Sequence, residues 1–179
     1  ILWRETKVSK FDLTRGKQHM FNIGDKVVYP MHGAGTITKI EEKELNGQMV
    51  TYLVLQMIVS EMTIMIPVSK AELVGLRMVG NKQVFIVVES VLTSDEPVDE
   101  PTMNWNKRSN MYLEQLKTSD LQKVAKVVQT LMQKERTKKI STGERRILTT
   151  GKQILLSELS IICGKTYDDM QTWLEQLMS

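Results

Sequence analysis

A change of hydrophobic period near residue 80 constrains this chain more than any other feature. Up to about residue 75 the apolar residues alternate with polar ones or cluster with β-branched neighbours, and from about 81 they recur at helical spacing. A period of two lines one face of a strand, whereas a period of 3.6 lines a stripe on a helix. Each half can therefore bury its apolar residues only in its own kind of structure. The expected fold class is α+β: a small β domain over 20–75, a linker over 76–80 and an all-α bundle over 81–179.

Four strands fit the first half: Lys26–Tyr29, stopped by Pro30, then Gly35–Ile40, Gln48–Gln56 and Glu61–Val68. Asn46-Gly47 between the second and third is a type I′ hairpin signal, because both central residues of that turn need positive φ. Val59-Ser60-Glu61 allows only a tight turn before the fourth strand. His32-Gly33-Ala34-Gly35 reads as another tight turn and not as a phosphate loop, since no third glycine or helix signal follows. Short strands so closely spaced suggest a Tudor- or SH3-like barrel, too small to hold a ligand inside. Such barrels usually act through an exposed strand edge or a loop. Glu61–Pro67 is the candidate edge, because Pro67 cannot donate to a central ladder and a partner strand could pair there.

Five helices are expected in the second half. The first carries Val84, Val87, Val88 and Val91 and ends before Ser94. Ser94–Pro101, with four acids and two prolines, is a solvated connector. The second helix covers about 106–117. The third is capped by Ser119-Asp120 and aligns Leu121, Val124, Ala125, Val128, Leu131 and Met132 on one stripe. Ser141-Thr142-Gly143-Glu144 forms a capping box opening a long helix, with Ile147, Leu148, Gly151, Ile154, Leu155, Leu159 and Ile162 inward. The last helix starts at Thr166 and buries Met170, Trp173, Leu174 and Leu177. Cys163 and Trp173 are expected in the core.

Composition enters chiefly through what it denies. One cysteine and two histidines, His19 and His32, leave a Cys/His metal site without ligands. No GxxxxGK[ST], GxGxxG or GxSxG occurs, so no cofactor, no metal, no small-molecule substrate and no enzyme activity are expected. A lone thiol suits a reducing compartment. No run of about 18 uncharged apolar residues is present, so a cytoplasmic protein without a membrane span is expected. Residues 1–19 show neither period and end in His19-Met20, a dipeptide common at the junction with an expression leader; they are expected to be non-native.

Charge is informative only through its distribution. The chain carries a formal +3, yet the window from Trp105 to Lys152 holds 12 Lys/Arg against four acids, a local +8. Lys134, Arg136, Lys138 and Lys139 end one helix, and Arg145 and Arg146 begin the next. The helix dipole accounts for cations at a C-terminus but not for two in a first turn, where they are disfavoured. Phosphate binding accounts for both ends of the turn together, through backbone contacts without a base-reading array. Trp105 stands in a polar stretch followed by Lys107 and Arg108. An indole there suits stacking on or wedging beside a base, with the cations on phosphates and Lys152 extending the surface.

Several ordered motifs carry a resemblance: MFNIGDKVVYPMHGAG over 20–35, YLVL over 52–55, MTIMIP over 62–67, VGLR over 74–77, Asn104-Trp105 and STGERR over 141–146. Together they resemble the CarD/CdnL family of RNA polymerase-binding bacterial transcription regulators, from residue 20 to about 178. The resemblance implies a Tudor-like domain bound to the polymerase β subunit, with Lys43, Tyr52, Ile64, Met65, Ile66 and Pro67 at that contact. It also implies a nucleoid-associated helical domain on promoter DNA, where Trp105 wedges into the minor groove at the upstream bubble edge and stabilises the open complex. Two departures stand out. Met65 replaces a cation that some relatives use on the fourth strand, and Asn110 replaces a basic residue near the tryptophan. Two rivals remain open at this point: a protein scaffold whose basic face is merely solvated, and a nuclease.

Overall fold

The computed structural model describes residues 20–60, 62–94, 104–137 and 140–179. The segment 1–19, the connector residues 95–101 and the predicted DNA contacts Lys138 and Lys139 lie outside the described residues. The N-terminal part is one antiparallel sheet of β1 (Lys26–Tyr29), β2 (Gly33–Leu45), β3 (Gln48–Met57), β4 (Thr63–Pro67) and β5 (Arg77–Met78), ordered β4-β3-β2-β1-β5. The turn expected at Asn46-Gly47 is present, with φ of 52° and 76° at its two residues. A register shift between Ile37 and Lys39 marks a bulge that bends the long β2, so that the sheet wraps round its own core. That core contains Phe21, Val27, Ile37, Leu53, Leu55, Met57 and Ile66.

Two readings of this half need correction. The expected tight turn lies earlier than read: it ends at His32, whose amide donates to the Tyr29 carbonyl at 3.0 Å, and Gly33 and Gly35 already lie in β2, paired with Tyr29 and Val27 of β1. Gly33 closes that turn with a φ of 86°, and close approach bars a side chain at both positions, because a Cβ on Gly33 would clash with Ser157 Oγ and one on Gly35 would lie 2.7 Å from the Gln56 carbonyl. The stretch 76–80 is also more than a connector. Its residues Arg77 and Met78 pair with Val28 and Val27 as the fifth strand. A pair of residues so short carries no readable alternation.

The second part holds α1 (Lys82–Leu92), α2 (Trp105–Lys117), α3 (Leu121–Thr137), α4 (Thr142–Cys163) and α5 (Tyr167–Leu177). Capping follows local chemistry. Asn81 accepts from the Gln83 amide at 2.9 Å, and Asp120 accepts from Gln122 at 3.0 Å. Ser141 and Thr166 each complete a capping box, with Glu144 and Asp169 respectively. The core expected from periodicity is buried: Leu121, Val124, Ala125, Val128 and Leu131 of α3 face Ile147, Leu148, Ile154, Leu155 and Leu159 of α4. Cys163 and Trp173 are half-buried and pack against that core, and burial pushes the Cys163 thiol up. Buried Gln129 donates to the Ser94 carbonyl at 2.8 Å, tying the end of α1 to α3. α1, α2 and α4 all pack on α3, and α4 also packs on β2, so one long helix touches both domains.

Candidate nucleic-acid interface

At one end of the bundle the N-termini of α2 and α4 meet the C-terminus of α3. Trp105 is the first residue of α2, one position earlier than the periodicity predicts. Asn104 caps that helix by accepting from the Lys107 amide at 3.1 Å. The indole is 36% exposed, and its benzene edge lies on the backbone of Gly143 in the first turn of α4. A Cβ at Gly143 would sit 2.5 Å from Trp105 Cζ2 and 3.0 Å from Cη2. Glycine costs a helix about 1 kcal/mol relative to alanine, and Gly143 has no positive φ to require it. The ring occupies the space where a side chain would be.

Beside the indole, Glu144 gathers the cations. Its buried carboxylate accepts from Lys134 Nζ at 2.6 Å and from the amide and hydroxyl of Ser141 at 2.8 and 2.9 Å, with Arg108 NH2 3.8 Å away. Burial works to raise this carboxyl. The Lys134 and Ser141 hydrogen bonds and the Lys134 charge outweigh it and hold the group below its ordinary 4.5. The exposed Arg145 pairs with Glu135 at 2.9 Å, a contact worth about 0–1 kcal/mol at such exposure. Lys107, Arg136 and Arg146 are exposed at the same end.

The predicted cations thus divide. Lys134 and Arg108 are largely covered and turned toward Glu144, which competes for them with any phosphate. Lys152 is half-buried and lies about 9 Å along α4 from Arg146, outside the cluster. Two helix N-termini add their partial positive charge to Lys107, Arg136 and Arg146, while the α3 C-terminus, Glu135 and Glu144 offset part of it. Sequence reasoning missed Gly143 as the seat of Trp105. A glycine in a helical first turn was the available signal.

The other predicted site lies on the far sheet edge. β4 is the first strand in the sheet order and pairs only with β3 among the described residues. Met57 N donates to Met62 O at 3.0 Å, and the antiparallel ladder alternates from there. Ile64 and Ile66 therefore turn their amides to β3, while those of Thr63 and Met65 face outward and Pro67 falls where β3 needs no donor. Met65 is exposed, and Lys43 Nζ lies 3.4 Å from its Sδ while pairing with Glu41 at 3.1 Å. Tyr52 is half-buried opposite Pro67. Ile66 is 3% exposed on the core side, so its side chain cannot serve a partner, and Ile64 is half-buried on the same face. Thr63, inside the expected edge 61–67, turns its amide to the same open side as Met65.

With both sites described, comparison with known proteins is decisive. Residues 21–90 match the family model of the CarD-like/TRCF RID domain, and residues 87–175 match that of the CarD C-terminal domain. The chain is 34% identical over 154 residues to the putative transcription factor YdeB of Bacillus subtilis (strain 168), covering 86% of this chain and 99% of that protein. The chain belongs to the CarD family. CarD-like proteins are transcription factors, a class generally without catalysis, and the α+β order expected here is that of the RID and C-terminal pair. The two CarD matches overlap on α1, whose Val88 and Leu92 are buried in the helical core. No helix among the described residues is long and apolar enough to cross a membrane.

Proposed function

We propose that this CarD-family chain docks on the RNA polymerase β subunit through the β4 edge and on promoter DNA through the Trp105 end of the bundle. There it stabilises the open complex. The supporting observation is the seat of Trp105: an indole one-third exposed, backed by bare glycine backbone, where two helix N-termini and several cations converge. A tryptophan held this way presents its free face without reorganising. An apolar wedge at the upstream bubble edge then gains contact that exists only in melted DNA.

The two halves act together. Docking at β4 adds a strand by main-chain pairing and raises the effective concentration of a weakly binding bundle near the promoter. Lys107, Arg136 and Arg146 meet phosphates, largely without reading sequence. Each ~1.4 kcal/mol by which the wedge prefers the melted state shifts opening tenfold. Such a factor works in the cytoplasm at the nucleoid.

Replacing Trp105 by alanine tests this directly. Polymerase capture should persist while open-complex lifetime on several promoters shortens; unchanged lifetimes overturn the wedge. One observation favours a second reading. Glu144 and Glu135 already neutralise part of the basic end, as a scaffold with a merely solvated face would have it. A DNA shift assay separates the two, because a scaffold leaves DNA unshifted at any salt.

A further inference from the structure

An ion pair with a fully buried carboxylate plays no part in either proposed contact. Glu158, near the end of α4 remote from Trp105, has a side chain only 1% exposed. Both carboxylate oxygens accept from Arg77, each at 2.7 Å, and Oε1 also accepts from the Gly80 amide at 2.9 Å. Arg77 belongs to β5, and its Nε donates to the Ser119 carbonyl in the α2–α3 turn at 2.9 Å. One guanidinium therefore fastens the sheet to two separate parts of the bundle.

The preceding residue of α4 makes a second fastening. Ala34 N donates to Ser157 Oγ at 2.9 Å in a buried contact, and Gly33 approaches so closely that a Cβ would meet that oxygen and the Gln153 carbonyl. Two strands, β2 and β5, are thus held by consecutive residues of one helix. From Glu158 to Gly143, where Trp105 sits, α4 runs about 22 Å without interruption.

We propose that Arg77 and Glu158 are positioning residues: their clasp holds the polymerase-docking sheet at a fixed distance and angle from the Trp105 end, with α4 as the spacer. This rests on the proposed function above. Domains joined in one chain move relative to each other unless something prevents it. A buried ion pair is weak evidence for stability, since an apolar pair of similar volume often serves as well. What the bidentate geometry supplies is direction, two parallel bonds that tolerate little rotation. Linked sites gain from one another only while the linkage lets both engage at once. The Arg77 fork thereby determines whether a docked chain places its indole at the bubble edge.

Glu158→Gln and Arg77→Lys, in the full-length chain, test the clasp. Nitroxides at Gln48 and Thr149, with Cys163→Ser as background, report the sheet-to-α4 distance. Polymerase affinity, duplex affinity and open-complex lifetime are measured on the same proteins. The expected result is a narrow distance distribution in the parent, broadened in both variants. Each separate affinity should stay within about twofold while the lifetime gain falls at least about twofold, the signature of lost geometry. Parent-like distances and lifetimes in both variants overturn the proposal, as does a broad parent distribution. If Glu158→Gln fails to unfold cooperatively, Arg77→Lys decides by the same readouts; failure of both assigns the pair to folding and overturns positioning. A parent that extends no lifetime, yet shows the narrow distance, refutes the proposed function and leaves the clasp standing.

Discussion

Replacing Gly143 with alanine separates helix stability from wedge function, because the two respond with opposite sign. The added Cβ would lie 2.5 Å from Trp105 Cζ2, whereas ordinary contact begins near 3.4 Å, so the ring must retreat by about 1 Å. Helix propensity itself improves by about 0.5–1 kcal/mol when glycine is removed from a helix. A radial gap of 0.5–1 Å forfeits about a quarter to a half of a dispersion contact. Applied to a base stack worth about 1–3 kcal/mol, that loss is about 0.25–1.5 kcal/mol, or a roughly 1.5- to 12-fold shorter open-complex lifetime. Thermal unfolding should show a melting temperature equal to or above that of the parent, while acrylamide quenching of the indole emission rises. A variant with unchanged quenching and unchanged lifetime would refute the idea that the bare backbone seats the ring.

Removing the exposed Arg146 (Arg146→Ala) should lower the slope of log affinity against log salt by about 1, and Arg145→Ala by less than about half as much, since Glu135 already holds Arg145. A flat salt response in the parent would contradict phosphate binding. Glu144 has a carboxyl pKa held below its unfolded value, so its contribution is full above about pH 4.5 and is lost as pH falls through the folded value. Glu144→Gln should therefore be less stable than the parent by about 1–3 kcal/mol at pH 7, with the gap closing on acidification; denaturant titrations at several pH values read it, and a pH-independent gap would argue against the charge. At the sheet edge, Met65→Pro removes an outward amide and should abolish polymerase β capture with little change in melting temperature. Ile64→Pro breaks the ladder to β3 and should lower the melting temperature as well; capture surviving Met65→Pro would rule out strand addition.

Local chemistry made much of this molecule legible from its residues. Alternation around Ile64 and Ile66, the heptad-like stripe of α3, Asn46-Gly47 and the two capping boxes each act over a few residues, so their outcome is written in a short window. The same holds for the candidate site in part: Trp105, Arg145 and Arg146 are conspicuous because they sit where packing and dipole do not ask for them.

What no window contains is the pairing of distant segments. Trp105 and Gly143 are 38 positions apart, and only the parallel packing of α2 and α4 brings the ring onto the glycine. Packing of α3 and α2 on α4 turns Lys134 and Arg108 toward Glu144, removing from the open surface two charges that a count of residues leaves there. The turn that Gly33 closes is legible because a glycine's local freedom is visible in a chain, whereas the helix that also excludes its side chain lies more than 120 residues away. Arg77 and Glu158 gave no sign at all, since a buried ion pair is defined by its surroundings. Sequence alone decided which segments are strands and helices and which faces they bury, because those choices are set by neighbours along the chain. Tertiary structure decided which charges stay free, where the indole rests and how the two domains are held, because each depends on desolvation and contact between parts that meet only once the chain has folded.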